Sequence, residues 1–214
     1  MKRWPVLLLV AGSIVIWSIS CENTEEADPT PPVLSVTPVD ISGPYDPATI
    51  TYGDIKMVAP AFIPFGSTAG TSGQAAGFEY YTVPDAPVRA VCRGRVEAIV
   101  ENPIEQGDYE IQVVALPGSA YKIIYDHVLD VRFLEDQTVD PGDILGLAGT
   151  WNDTMRRVTL QVLYGSGSDE RAYCPLNYGD SAFNADHNKL LNDYNQRGIS
   201  PVYDSICLDD YVYP

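Results

Sequence analysis

Between about residues 45 and 164 the chain is cut into short apolar runs, and this punctuation limits what it can fold into. PVRAVCRGRVEAIV, DYEIQVVAL, AYKIIYDHVL, DILGLAG and RVTLQVLY are rich in Val, Ile and Tyr. ENPIEQGD, LPGS, VDPGD and GTWND separate them with Gly, Pro, Asp and Asn, the residues that favour turns. No long stretch repeats its apolar residues at helical spacing, so these segments predict strands joined by tight turns. The fold class expected is mainly β, an antiparallel β-sandwich or β-roll.

The C-terminal section is different in character. GSGSDE, residues 165–170, reads as a loop, and Ser181 is placed to cap a helix through AFNADHNKLLNDYNQR that Gly198 can end. Phe183, His187, Leu190, Leu191 and Tyr194 fall on one face of that helix. The Tyr-rich tail ISPVYDSICLDDYVYP is expected to pack back on the domain.

The N-terminus carries an export signature. Lys2 and Arg3 precede the apolar VLLLVAGSIVIW, which is short for a membrane span, and SISC puts small residues before Cys21. Residues 1–21 therefore read as a lipoprotein signal peptide with Cys21 the lipidated residue. Residues 22–44, opening on the acidic and Pro-rich ENTEEADPTPP, read as a disordered tether. A β domain over 45–165 and a helix with a stapled tail over 166–214 complete the expected organisation. Glu22 after the cysteine favours the outer membrane, so a lipid-anchored place in the cell envelope is expected, with the membrane reached only through the N-terminal lipid.

Charge narrows the partners. The net charge is -16, and loss of Lys2 and Arg3 with the signal makes it two units more negative. Phosphate backbones need clustered Lys and Arg, so nucleic acid is excluded as a partner. Of the four cysteines, Cys174 and Cys207 lie together in the C-terminal section, and export permits a disulfide between them. Cys92 alternates with Val88 and Ala90 as a small core residue, although a Cys92–Cys174 bond remains open by sequence.

Three stretches in series resemble the lysostaphin/LytM-type peptidase domain, metallopeptidase family 23. APVRAVCRGRV is similar to the strand that follows the family's first zinc motif. YKIIYDHVLDVRFLEDQTVDPGDILGLAG is similar to the segment with aromatic-x-His and then Val-x-x-Gly-x-x-Leu/Ile-Gly. RVTLQVLY is similar to the closing strand that carries His-x-His. The resemblance covers about residues 75–164 and implies the duplicated-hybrid-motif β fold.

It also implies that the zinc chemistry is degraded. A hydrolytic zinc site needs about three protein ligands and an open position for water. In this alignment the family's ligand positions fall on Ala75, Glu79 and Thr159, and its two catalytic histidines on His127 and Arg157. Only two histidines exist in the chain, His127 and His187, and the second lies on the apolar helix face. The expected metal is none. The residual groove would have Glu79, His127, Thr159 and Gln161 on its floor and Tyr80, Tyr81, Asp126 and Arg157 as walls. These can equally be ordinary strand residues, with Glu79 and His127 a structural pair.

The function that this resemblance and the export signature imply is a non-catalytic, peptidase-like envelope lipoprotein. It would bind peptidoglycan or an envelope protein, in one version regulating a cell-wall hydrolase. The alternative is a divergent metal-dependent peptidoglycan hydrolase that uses Glu79 and His127, with zinc required only in that case. WNDTM and LDDY lack the alternating oxygens of a calcium loop. Arg93-Gly94-Arg95 stands where a biotinyl or lipoyl domain would need a lysine.

Overall fold

The structure, a computed structural model, describes residues 30–68, 73–116 and 118–214. The signal peptide, Cys21 and the first part of the tether lie outside the described residues. Four two-residue strands come first: β1 (Tyr45–Asp46), β2 (Thr51–Tyr52), β3 (Ile55–Lys56) and β4 (Phe62–Ile63). They lead to β5 (Phe78–Thr82), β6 (Pro87–Arg89), β7 (Gly94–Glu101), β8 (Tyr109–Val114) and β9 (Tyr121–Leu129). After β10 (Thr138–Val139) come β11 (Ile144–Thr150) and β12 (Arg156–Tyr164), then β13 (Arg171–Tyr173), the helix α1 (Ser181–Gln196) and β14 (Tyr211–Val212). Every pairing between named strands is antiparallel, so the expected fold class is the one observed.

β12 is the hub. It pairs with β5 along one edge and with β9 and β11 along the other, while β13 takes its far end. Val158, Leu160 and Val162 are fully buried, whereas Arg157, Thr159 and Gln161 between them point to the other face. This is the period-2 alternation of a strand with one face on a core. On β5 the same rule buries Phe78 and Tyr80 and leaves Glu79 on the face of Thr159.

α1 covers the core face of β5. Its five expected contact residues, Phe183, His187, Leu190, Leu191 and Tyr194, are all buried. Asp180 is the N-cap, its carboxylate accepting from Phe183 N at 2.8 Å, so Ser181 is the first helical residue and not the cap. Asp180 precedes Ser181 and holds the extended backbone that a cap needs. Gly198 follows the C-cap Arg197 with φ +66, the conformation that lets the chain leave a helix.

Residues 34–41 differ from the expected tether. Leu34, Val39 and Ile41 are buried in the core, Ser35 N donates to Val91 O at 2.9 Å, and Arg89 N donates to Pro38 O at 2.7 Å. The acidic residues that signalled disorder end before this segment, and its spaced aliphatic residues have a core to enter. The tail returns as expected. Cys174 and Cys207 form the disulfide with Cα atoms 5.8 Å apart, and Leu208 N donates to Phe65 O at 3.0 Å. Cys92 is a free, buried thiol whose pKa is pushed up to about 12 by burial.

His187 is a satisfied core residue. Its Nδ1–H donates to Phe183 O at 2.8 Å, which leaves Nε2 to accept from the Tyr80 hydroxyl at 2.7 Å. The rings of Phe183 and Phe78 lie 4.2 and 5.1 Å from it. Burial draws its pKa down from 6.5 to about 4, against a smaller opposing effect of the Phe183 carbonyl.

Two outcomes follow for stability. The bridge closes a loop of sequence separation 33, so Cys207→Ser is expected to cost about 3–4 kcal/mol in denaturant unfolding under oxidising conditions. For His187, the unfolded chain takes up a proton near pH 6.5 and the folded chain only near pH 4. Its contribution is complete above about pH 6.5 and is lost as pH falls towards 4. His187→Gln, which keeps an acceptor for Tyr80, should therefore flatten the stability profile by about 2 kcal/mol between pH 7 and pH 5.

Candidate functional site

The outward face of β5, β12 and β9 carries the candidate residues as one cross-strand row. Thr159 on β12 is in register with Glu79 on β5 and with Asp126 on β9. One pair along, Arg157 is in register with Tyr81 on β5 and Gly149 on β11. Gln161 is paired with Ile124, and these two line a separate depression of about 310 Å³ with Gln112, Lys122 and Glu170. Tyr80, expected in the groove wall, is instead fully buried on the opposite face beneath α1. Adjacent strand residues point to opposite sides, so Tyr80 cannot share a wall with Glu79 and Tyr81.

Glu79 sits in a closed set of contacts. Its Oε1 accepts from the Tyr81 hydroxyl at 2.6 Å and lies 3.8 Å from the Arg157 guanidinium. Arg157 in turn stands over the Trp151 ring, 5.0 Å from its centre, and Tyr81 meets the same ring edge-on at 5.2 Å. Trp151 is 42% exposed and forms the rim of this cluster. Burial, then the hydrogen bond to Glu79, holds the Tyr81 hydroxyl well above the usual phenol range. Trp151 is not among the groove residues that the sequence points to. Its only signal there is a large aromatic in the turn GTWND, and that turn is shaped by Asn152 Oδ1, which accepts from Thr154 N and Met155 N.

These residues do not fit a hydrolytic zinc ion. Ala75 offers no donor, Thr159 offers a hydroxyl, and the one carboxylate at a ligand position is already taken by Tyr81 and a cation. Unit charges 4 Å apart in partly buried surroundings repel by roughly 4 kcal/mol, and a dication beside Arg157 would feel about twice that. No step of a reaction is derived through zinc at this place.

His127 belongs to a second cluster. Its Nδ1 lies 2.8 Å from Asp108 Oδ2 and its Nε2 3.5 Å from Asp126 Oδ2. Glu79 and His127 are thus engaged by different partners and do not form the structural pair considered above. The backbone explains the separation. β9 pairs with β12 as far as Asp126 and with β11 from Val128, so His127 is the residue at which the strand changes partner. The register with β8 also slips between Tyr109 and Ile111. His127 has φ +63, a conformation that costs an L residue roughly 1 kcal/mol or more and re-aims its side chain. Gly149 makes room for this: a Cβ there would meet His127 Cβ at 2.8 Å and its carbonyl oxygen at 2.9 Å.

No family model matches the sequence, and no curated protein matches it. Solved structures do. The chain is similar to the antimicrobial peptidase lysostaphin from Staphylococcus simulans, with 21% identity and a TM-score of 0.44 over 54% of this chain and 48% of that one. It is similar to a mutant catalytic domain of the prophage-encoded M23 protein EnpA from Enterococcus faecalis, with 20% identity and a TM-score of 0.45 over 55% and 89%. It is also similar to a zinc-containing peptidase from Vibrio cholerae, with 20% identity and a TM-score of 0.41 over 63% and 37%. The chain therefore matches about half of lysostaphin's length.

Arg157 is the residue on which the Glu79 cluster turns. Arg157→Gln should lower stability by about 1–2 kcal/mol in denaturant unfolding, because it leaves a half-buried carboxylate without its cation. Glu79→Gln should recover part of that loss in the double variant, and additive effects would show that the two side chains are not coupled.

Proposed function

We propose that this chain is a non-catalytic, peptidase-like lipoprotein of the cell envelope whose groove binds peptidoglycan or an envelope protein, in the latter case as a regulator of a cell-wall hydrolase. The observation that carries this reading is the Glu79–Arg157 contact. At the position where a peptidase would hold its metal, the carboxylate is neutralised by a guanidinium of the same sheet. What remains on that face is a partly exposed indole, a guanidinium and a row of hydroxyl and carboxylate groups. Aromatic faces stack on sugar rings, and fixed polar groups hydrogen-bond glycan hydroxyls or peptide amides without bond cleavage. The anchoring half of the proposal rests on the Lys2-Arg3 start, the apolar stretch after it and SISC at Cys21, all outside the described residues.

The test is co-sedimentation of the full chain with purified murein sacculi. Retention without release of soluble muropeptides is expected, and Trp151→Ala or Arg157→Ala should weaken it by about tenfold, as loss of a central aromatic or Arg contact commonly does. Muropeptide release abolished by His127→Ala would overturn this reading in favour of a divergent hydrolase. Failure to bind either sacculi or a purified cell-wall amidase would remove both forms of the binding proposal.

A further inference from the structure

The cluster around His127 has the composition of a metal site, and its two carboxylates, Glu105 and Asp108, stand at none of the ligand positions that the resemblance to zinc peptidases implies. Glu105 and Asp108 come from the turn between β7 and β8, and His127 reaches them from the point at which β9 changes partner. One ligand atom from each of the three lies within 4.8 Å of the other two. The turn is held in shape by its own backbone, with Asp108 N donating to Glu105 O at 3.0 Å and Asn102 N to Asp108 O at 2.7 Å.

Three acidic or imidazole groups near one another do not by themselves make a site, but Asp108 adds a separate observation. The residue is 2% exposed, its Oδ2 faces His127 Nδ1, and its Oδ1 is buried with no hydrogen-bond partner among the described residues. A buried carboxylate oxygen left without a donor costs about 1–3 kcal/mol or more, so such atoms are normally satisfied by something. The charge balance points the same way. Asp108 and Asp126 both face one imidazole, and among the described residues their ion pairs are with His127 alone. Glu105 adds a further exposed carboxylate beside them.

We propose that Glu105, Asp108 and His127 bind a divalent transition-metal ion of the zinc class. One imidazole and two carboxylates are a donor set for such ions, whereas calcium and magnesium sites are built from oxygen alone. Donors at about 2.0–2.2 Å from zinc stand about 3.5 Å apart in a tetrahedral site, so Nδ1 and Asp108 Oδ2, now 2.8 Å apart, open by a fraction of an ångström and the exposed Glu105 rotates inward. The ion takes the place of the proton between Nδ1 and Asp108, that proton leaves to solvent, and Asp108 ligates through both carboxylate oxygens, which gives Oδ1 its partner. Bound there, it ties the β7–β8 turn to β9 beside Asp126, at the edge of the groove. Water fills the remaining position. The inference does not depend on what the groove binds.

The experiment is titration of the metal-free full chain with zinc chloride by calorimetry, repeated with cobalt chloride to read the visible spectrum of a nitrogen- and oxygen-ligated ion. One ion per chain is expected, undisturbed by a large excess of calcium. Glu105→Gln and His127→Ala should each weaken binding by about tenfold or more, since even outer partners of a metal commonly matter that much. Glu105 is exposed, so its variant keeps the fold and reads the site alone. Glu79→Gln should leave the affinity unchanged. No saturable zinc binding would overturn the proposal. So would stoichiometric binding that either the Glu105 or the His127 variant leaves intact, and loss with Glu79→Gln would move the ion to the other cluster.

Discussion

Everything on the candidate face depends on the register of β12. This strand is held on both edges, by β5 on one side and by β9 and then β11 on the other. A slip of one residue would turn Val158, Leu160 and Val162 out of the core and bring Arg157, Thr159 and Gln161 in. The buried aliphatic row thus fixes where the polar row points. Burial of Phe78 and Tyr80 under α1 does the same for Glu79 and Tyr81 on β5. The helix therefore shapes the site from the opposite side of the sheet, by fixing the strand whose other face carries the carboxylate.

On that face two clusters share a sheet but not a chemistry. Glu79, Tyr81, Arg157 and Trp151 form a compact set in which a carboxylate and a guanidinium offset each other. Asp108, Asp126 and His127 form an electronegative set with one buried oxygen unsatisfied among the described residues. The difference arises at His127. Its positive φ and the change of pairing partner send the imidazole to Asp108 rather than to Glu79. A resemblance in linear order thus puts Glu79 and His127 into one imagined site, while the sheet deals them to two.

Much of the framework was legible because it obeys local rules. The strands and the helix with its five-residue apolar face follow from periodicity and turn residues, and of the two cysteine pairings that the sequence leaves open the structure forms Cys174–Cys207. The groove residues were legible only in part. Thr159, Glu79 and Asp126 share one cross-strand row, but Tyr80 lies on the core face, as alternation along FEYYT dictates. Asp108 carried no signal at all. It is one acidic residue among 29, in a turn where acidic residues are commonplace, and its contact with His127 exists only once β8 and β9 have paired.

The amino-acid sequence by itself determined the class of fold, the apolar face of α1 and which residue types stand at each strand position. Those properties depend on side-chain periodicity and turn conformation, which act over a few residues. The tertiary structure decided which charges meet. Arg157 neutralises Glu79 because two strands separated by most of the domain pair in one register, and Asp108 meets His127 because β9 changes partner at that residue. Electrostatic contacts depend on distances of a few ångströms between chain segments, and the closing of the sheet sets those distances.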